Sequence, residues 1–234
     1  MENYQENLKS LFANYDALVF FDFETTGLSP WRDDIIEIGA VCLEKDNDEP
    51  VTLSTLVQLN KHSFVPSKIT QITGITSKML SESGIPLSDA RNSLYQIMAK
   101  HEKTLIIAHN ILFDLGFLYQ LFYDPLYRKV IDRVDCLDTL TVFRDRRPYP
   151  HRLANAITAY NLEEVVKNSH RALDDVMSLV YILSSMIEEQ DDIIRYVNLI
   201  GYNPNYPAPR MTGFVKIRLL PQSYTKNYKL YNIA

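Results

Sequence analysis

The stretch "VFFDFETTGL", residues 19–28, decides the fold. Its apolar and aromatic run predicts a buried strand, yet Asp22 and Glu24 interrupt it two residues apart. Side chains alternate faces along a strand, so both acids point the same way. Two like charges in apolar surroundings repel each other and lose hydration unless something positive compensates. "TTGLSP" then reads as a turn.

Working outward, residues 17–24 predict a strand. "IIEIGAVCLE" (35–44) and "VTLSTLVQL" (51–59) predict two more, with "KDNDEP" as the hairpin turn between them. Helical patterns follow at "SKITQITGITSKML" and at about 87–101, the latter begun after Pro86. "TLIIAHN" (104–110) reads as a buried strand and "ILFDLGFLYQLF" (111–122) as a helix that is apolar nearly all round. "RVDCLDTL" suggests a short strand leading into a helix; "RLANAITAYN" and "HRALDDVMSLVYILSSMIEE" read as helices. A last helix is expected over 191–201, then a C-terminal hairpin from "GFVKIRLL" and "YKLYNI". Three consecutive strands followed by strand–helix alternation predict an α/β fold with a mixed sheet. Ligands of such sheets gather beyond the carboxyl ends of strands, where Asp22 and Glu24 lie.

Two further acids stand in apolar company. Asp114 shares its helical face with Phe117 and Leu118. In "HRALDDVMSLVYIL" the apolar stripe of Ala172, Val176, Leu179, Val180, Leu183 and Ile187 carries Asp175 at its edge. Asp174 points away and reads as a solvated surface acid. Four inward acids with oxygen-only ligands suit a hard cation, Mg²⁺ or Mn²⁺. Two such ions about 4 Å apart would clamp the attacking water and the leaving oxygen of a phosphodiester. His170, ahead of Asp175, is placed to act as the general base.

"DFETTG", "HNILFD" and "HRALDD" resemble, in order, the three motifs of the DEDDh exonuclease family, and "ITQITGIT" (69–76) is similar to a segment that family carries between the first two. The resemblance covers residues 16–188. It implies a ribonuclease H-like fold, a five-stranded mixed sheet flanked by helices, and 3′→5′ exonuclease activity releasing nucleoside 5′-monophosphates. It implies that Asp22, Glu24 and Asp175 hold the catalytic metal, that Asp22 and Asp114 serve a second, and that His170 deprotonates the attacking water. It also implies that Thr25, Thr26 and Gly27 hold the 3′-terminal nucleotide, with Ile72, Thr73, Asn110 and Phe113 shaping its pocket. DNA and RNA ends both remain open, as do repair, proofreading, RNA end-trimming and degradation of short oligonucleotides. A DNA polymerase subunit is a candidate partner, and the state is expected to be monomer or homodimer.

The 234 residues suffice for one sizeable core, residues 1–190, with an extension at 191–234. From Ile193 onward there is no Asp or Glu, while Arg195, Arg210, Lys216, Arg218, Lys226 and Lys229 add six positive charges. Against a net charge of −5, residues 1–192 therefore carry −11. Tyr196, Tyr202, Tyr206, Tyr224, Tyr228 and Tyr231 interleave with those cations. Such a tail suits a nucleic-acid strand; it equally suits docking on the protein's own acidic body. An alternative function follows, a nucleic-acid-binding or polymerase-docking module in which the exonuclease domain serves assembly. The widely separated Cys42 and Cys136 fit a reduced, cytoplasmic setting. The polar N-terminus does not read as a signal peptide, and no run reaches the roughly 20 apolar residues of a membrane helix. His62, His101 and His151 read as surface residues, and Trp31 as a packing residue in a solvated loop.

Overall fold

A computed structural model of the protein describes residues 3–166, 170–206, 214, 216–224 and 228–233. Helix α1 (Asn3–Leu8) leads into β1 (Ala17–Thr25), β2 (Ile35–Glu44) and β3 (Asn47–Leu56). Helices α2 (Ser67–Thr73), α3 (Ser77–Ser83) and α4 (Leu87–Ala99) precede β4 (Thr104–Ala108). Then come α5 (Ile111–Leu121), α6 (Pro125–Arg133), β5 (Asp135–Asp138), α7 (Thr139–Arg146), α8 (Leu153–Ala159) and α9 (Ala172–Glu189). The chain closes through β6 (Leu199–Tyr202) and β7 (Arg218–Pro221).

The main sheet has the order β3-β2-β1-β4-β5. The pairs β1–β2 and β2–β3 are antiparallel, while β1–β4 and β4–β5 are parallel, so the sheet is mixed and five-stranded, as expected. Alternation sorts its side chains into two layers. Leu18, Phe20, Val41, Leu43, Leu105 and Ile107 face α1, α7, α8 and α9. Val19, Phe21, Phe23, Ile38, Ala40, Cys42 and Ile106 face α4, α5 and α6. Burial of a large apolar side chain contributes about 1.5–3 kcal/mol, and Phe20 and Phe21 lie at the centre with no exposure. Both cysteines are free and buried. Among the described residues no helix is long and apolar enough to cross a membrane.

Three expectations change. The turn of the first hairpin is only Lys45–Asp46, because β3 begins at Asn47. As the edge strand it is exposed over its first six residues, so "NDEP" needs no apolar pattern and Pro50 is tolerated there. In place of a helix over 191–201 there is a single 3-10 turn, Ile193–Tyr196, followed by β6. The expected C-terminal hairpin is replaced by a parallel β6–β7 pair, while the "YKLYNI" segment contains a 3-10 turn, Leu230–Asn232.

The extension is packed against the body. The Gln222 amide donates to Thr141 O (2.8 Å) and Asp145 Oδ1 (2.7 Å), and Leu230 N donates to Asp145 Oδ2 (2.5 Å). The Tyr196 hydroxyl donates to Asp145 and that of Tyr231 to Asp192. Lys216 pairs with Asp135 at 3.0 Å, and Arg195 stacks over Tyr231. Of the two readings of the tail, these contacts supply the docked one; Arg210 and Lys226 lie outside the described residues.

Candidate active site

The β1–β2 register lays out the site. Asp22 pairs with Gly39 and Glu24 with Glu37. Both pairs continue the row Leu18, Phe20 and Leu43, Val41, which faces α9. That row turns from apolar to acidic as it leaves the core, at the end where α9 begins. Asp175, in the first turn of α9, faces it. Carboxylate oxygens of Asp22, Glu24 and Asp175 all lie within 4.8 Å of one another. The opening paradox thus becomes sharper, with three acids together rather than two.

Their titration reflects this crowding. Burial first, then the charges of Asp175 and Glu37, push Asp22 up to about 7. Burial and the neighbouring acids push Glu24 up to about 9. Burial, Asp174 and Glu37 push Asp175 up to about 7. Asp175 is only 9% exposed, and its buried Oδ1 has no hydrogen-bond partner. A buried carboxylate oxygen without a donor is costly. A divalent cation satisfies that oxygen and relieves the repulsion together, so the donor set fits a hard ion.

Asp114 arrives from the opposite layer, since α5 packs on the Phe21–Phe23 face. It lies outside the three-acid group. β4 pairs with β1 only as far as Phe20, which leaves the amide of Phe23 without a strand partner on that side. Asp114 Oδ1 accepts that amide at 3.3 Å. Burial, then the Asp22 charge, hold its carboxyl well above the usual range.

The remaining expected residues are distributed as follows. His170 is exposed, in a left-handed backbone (φ 51°) just before Arg171, the N-cap of α9. Thr25 and Thr26 are buried. Thr25 donates to Gly27 O, and Thr26 Oγ1 accepts from Asp34 N at 2.8 Å. Gly27 lies against the Asp33 carboxylate, which a Cβ there would meet at 2.6 Å. On α2, Ile72 is exposed, while the Thr73 hydroxyl is committed to Ile69 O and Ile75 N. Asn110 is exposed, with φ 68°, and Phe113 leans on Phe117.

Several residues that hold the site were passed over in the sequence. Glu37, 1% exposed, accepts both Nε and Nη2 of Arg171 (2.6–3.1 Å) and the Ala172 amide at 2.9 Å. Its signal was an acid inside "IIEIGAV", a third interruption of an apolar run. Asp138 caps α7 and also accepts the Asn110 and Ile111 amides, tying the starts of two helices together. Asp34 accepts the amides of Lys61 and His62 and contacts the His62 ring.

Other sequence readings are corrected here. His62 and His101 are partly buried and pair with acids, while His151 is 7% exposed and bonds Arg147 O. Trp31 does not pack, being 69% exposed. Asp174 is half-buried rather than solvated.

Comparison with known proteins agrees with this architecture. The RNase_T family model, described as "Exonuclease", matches residues 19–183. The chain is 35% identical over 180 residues to a DNA polymerase III PolC-type protein of Clostridium perfringens, covering 75% of this chain and 12% of that protein. It is 29% identical over 238 residues to the PolC-type protein of Oceanobacillus iheyensis, covering 99% of this chain and 16% of that one, so the alignment takes in the extension. The chain therefore spans a small fraction of the length of these relatives. Among solved structures, E. coli Exonuclease I in complex with a dA16 oligonucleotide superposes with a TM-score of 0.65 at 21% identity, covering 77% of this chain and 42% of that one. A product-bound Exonuclease I gives 0.66 at 18% identity, covering 78% and 46%. At these identities the likeness is one of fold.

Proposed function

Because the chain belongs to the exonuclease family whose model spans residues 19–183, we propose that it is a divalent-metal-dependent 3′→5′ exonuclease acting on single-stranded DNA ends. The observation that carries this reading is the group of Asp22, Glu24 and Asp175 within 4.8 Å, with a buried and unpartnered Asp175 Oδ1. Likeness to DNA polymerase III PolC-type proteins supports DNA over RNA and a proofreading setting beside a polymerase.

Asp22, Glu24 and Asp175 would hold the catalytic ion, Mg²⁺ or Mn²⁺. When bound, it supplies positive charge for the phosphodiester and Lewis-acid activation of a water. Asp114 would serve a second ion with Asp22, whose field already reaches it. Through the Phe23 amide it also fixes the strand between the two β1 acids. His170, exposed at the entry to α9, would accept the proton of the attacking water and return it to solvent. The Thr25–Gly27 turn has its hydroxyls turned to internal partners, so it would hold the terminal nucleotide by its backbone. Ile72, Asn110 and Phe113 would line the sugar and base.

The test uses 5′-labelled single-stranded DNA and RNA of matched sequence, with Mg²⁺, Mn²⁺ or EDTA. A metal-dependent ladder shortening from the 3′ end, faster on DNA and lost in Asp22→Ala and His170→Ala, is expected. No shortening of either substrate would reject the enzyme reading and favour the docking module.

A further inference from the structure

Four carboxylates, not three, converge where β1, β2 and α9 meet, and the fourth is treated differently. Glu37 sits across from Glu24 in the β1–β2 ladder, on the same face as Asp22 and Glu24. Its charge acts on Asp22, Glu24 and Asp175 alike. Yet none of its oxygens belongs to the three-acid group. Both are occupied: Oε1 accepts Arg171 Nε at 3.0 Å and Nη2 at 2.6 Å, and Oε2 accepts Arg171 Nε at 3.1 Å and Ala172 N at 2.9 Å. A guanidinium offers a rigid fork that fits a carboxylate through two donors, which a lysine does not reproduce.

The same contacts fix the start of α9. Ala172 N is one of the amides a helix leaves unpaired in its first turn, and Glu37 satisfies it. Gly39, two residues further along β2 on the same face, lets the α9 backbone approach so closely that a Cβ there would lie 2.4 Å from the Ala172 carbonyl carbon. Asp175 lies three residues beyond Ala172, in that first turn. Its Oδ1 has no hydrogen bond of its own, so its position relative to Asp22 and Glu24 is set by where α9 starts.

We propose that Glu37 and Arg171 are positioning residues of the metal centre: their forked ion pair docks the first turn of α9 on β2, sets Asp175 against Asp22 and Glu24, and withholds Glu37 from the ligand set. The inference rests on the metal reading above. It places a dependence of metal affinity on a strand acid and a helix N-cap that do not themselves touch the ion.

The test measures Mn²⁺ binding by calorimetry and metal-free melting temperature on the full chain, for wild type, Asp22→Asn, Glu37→Gln and Arg171→Lys. Glu37→Gln keeps an acceptor for Ala172 N but loses the charged fork. Arg171→Lys keeps the charge that compensates buried Glu37 and changes a side chain that is 40% exposed, so it is expected to fold even if Glu37→Gln does not. Outer partners of metal ligands typically govern affinity by 10–100-fold. Glu37→Gln is expected to weaken Mn²⁺ binding by about that factor, and Arg171→Lys by about 10-fold, with cooperative metal-free melting retained. Wild-type affinity in folded Glu37→Gln or Arg171→Lys, whatever their melting temperatures, would overturn the proposal while leaving the metal reading intact. Undiminished binding by Asp22→Asn, or none by wild type, would overturn both.

Discussion

Asp114, on α5, accepts through Oδ1 the backbone amide of Phe23 at 3.3 Å, the residue that separates Asp22 from Glu24. An acid from one layer of the fold thus braces the strand whose acids face the other layer.

Asp114→Asn keeps an acceptor for that amide and removes an acid whose ionisation is opposed by burial and by the Asp22 charge. Its metal-free melting temperature is expected to match or exceed that of the wild type. Exonuclease rate is expected to fall at least about 10–100-fold, the cost typical of lost support at a metal site. Asp114→Ala leaves Phe23 N unpaired and is expected to be about 1–3 kcal/mol less stable than Asp114→Asn. Urea unfolding of the two variants in EDTA makes the comparison.

The crowded acids set a pH dependence. Asp22 and Asp175 are raised to about 7 and Glu24 to about 9, above the ordinary values they regain on unfolding. The folded state therefore holds more protons across this window. Stability is fully present below pH ~4 and declines as pH rises through 7 toward 9. Unfolding in EDTA at stepped pH should show that decline. Saturating Mg²⁺ should flatten it, giving a metal-induced rise in melting temperature that is larger at pH 8 than at pH 5.

Gly39→Ala places a methyl carbon 2.4 Å from the Ala172 carbonyl carbon, contact that only a shift of α9 relieves. Overpacking of this kind costs about 1–3 kcal/mol. The same shift carries Asp175 away from Asp22, so activity is expected to fall by more than the stability loss accounts for. Steady-state kinetics at a temperature where the variant is fully folded isolates that excess.

The C-terminal extension is expected to behave as part of the folded body. Asp145 accepts from Tyr196, Gln222 and Leu230, and Gln222 and Leu230 have no exposure. Asp145→Ala is expected to lower stability by at least about 1.5–3 kcal/mol, the worth of a single hydrogen bond to a charged acceptor. Removing residues 202–234 should lower the melting temperature of the remaining protein. An unchanged melting temperature would show a separable tail.

Much of this was legible because it is local. The alternation in "VFFDFET" put Asp22 and Glu24 on one face, and the helical wheel of "HRALDDVMSLVYIL" turned Asp175 inward; each needs only a period. Asp114 also reads as inward, but the sequence does not say into which layer. That depends on α5 packing against the face of Phe21 and Phe23 rather than against that of Phe20. Glu37 was missed because its partner lies 134 residues away, a distance no spacing rule crosses. The start of β3 was lost for the opposite reason: an outermost strand satisfies its backbone on one side and leaves its side chains in water, so "NDEP" carries no apolar signal. The tail leaves two readings open in the sequence because Tyr and cations serve a nucleic acid and a protein surface equally; only its packing, with Tyr196 in the buried core, favours the docked one.

The most direct test of the account is an anomalous difference map from crystals of the wild-type protein grown with Mn²⁺. The account predicts a peak bounded by the carboxylates of Asp22, Glu24 and Asp175, with Asp175 Oδ1 as a ligand and Glu37 still paired with Arg171. A map with no peak there, or with Mn²⁺ held by other residues, would contradict it.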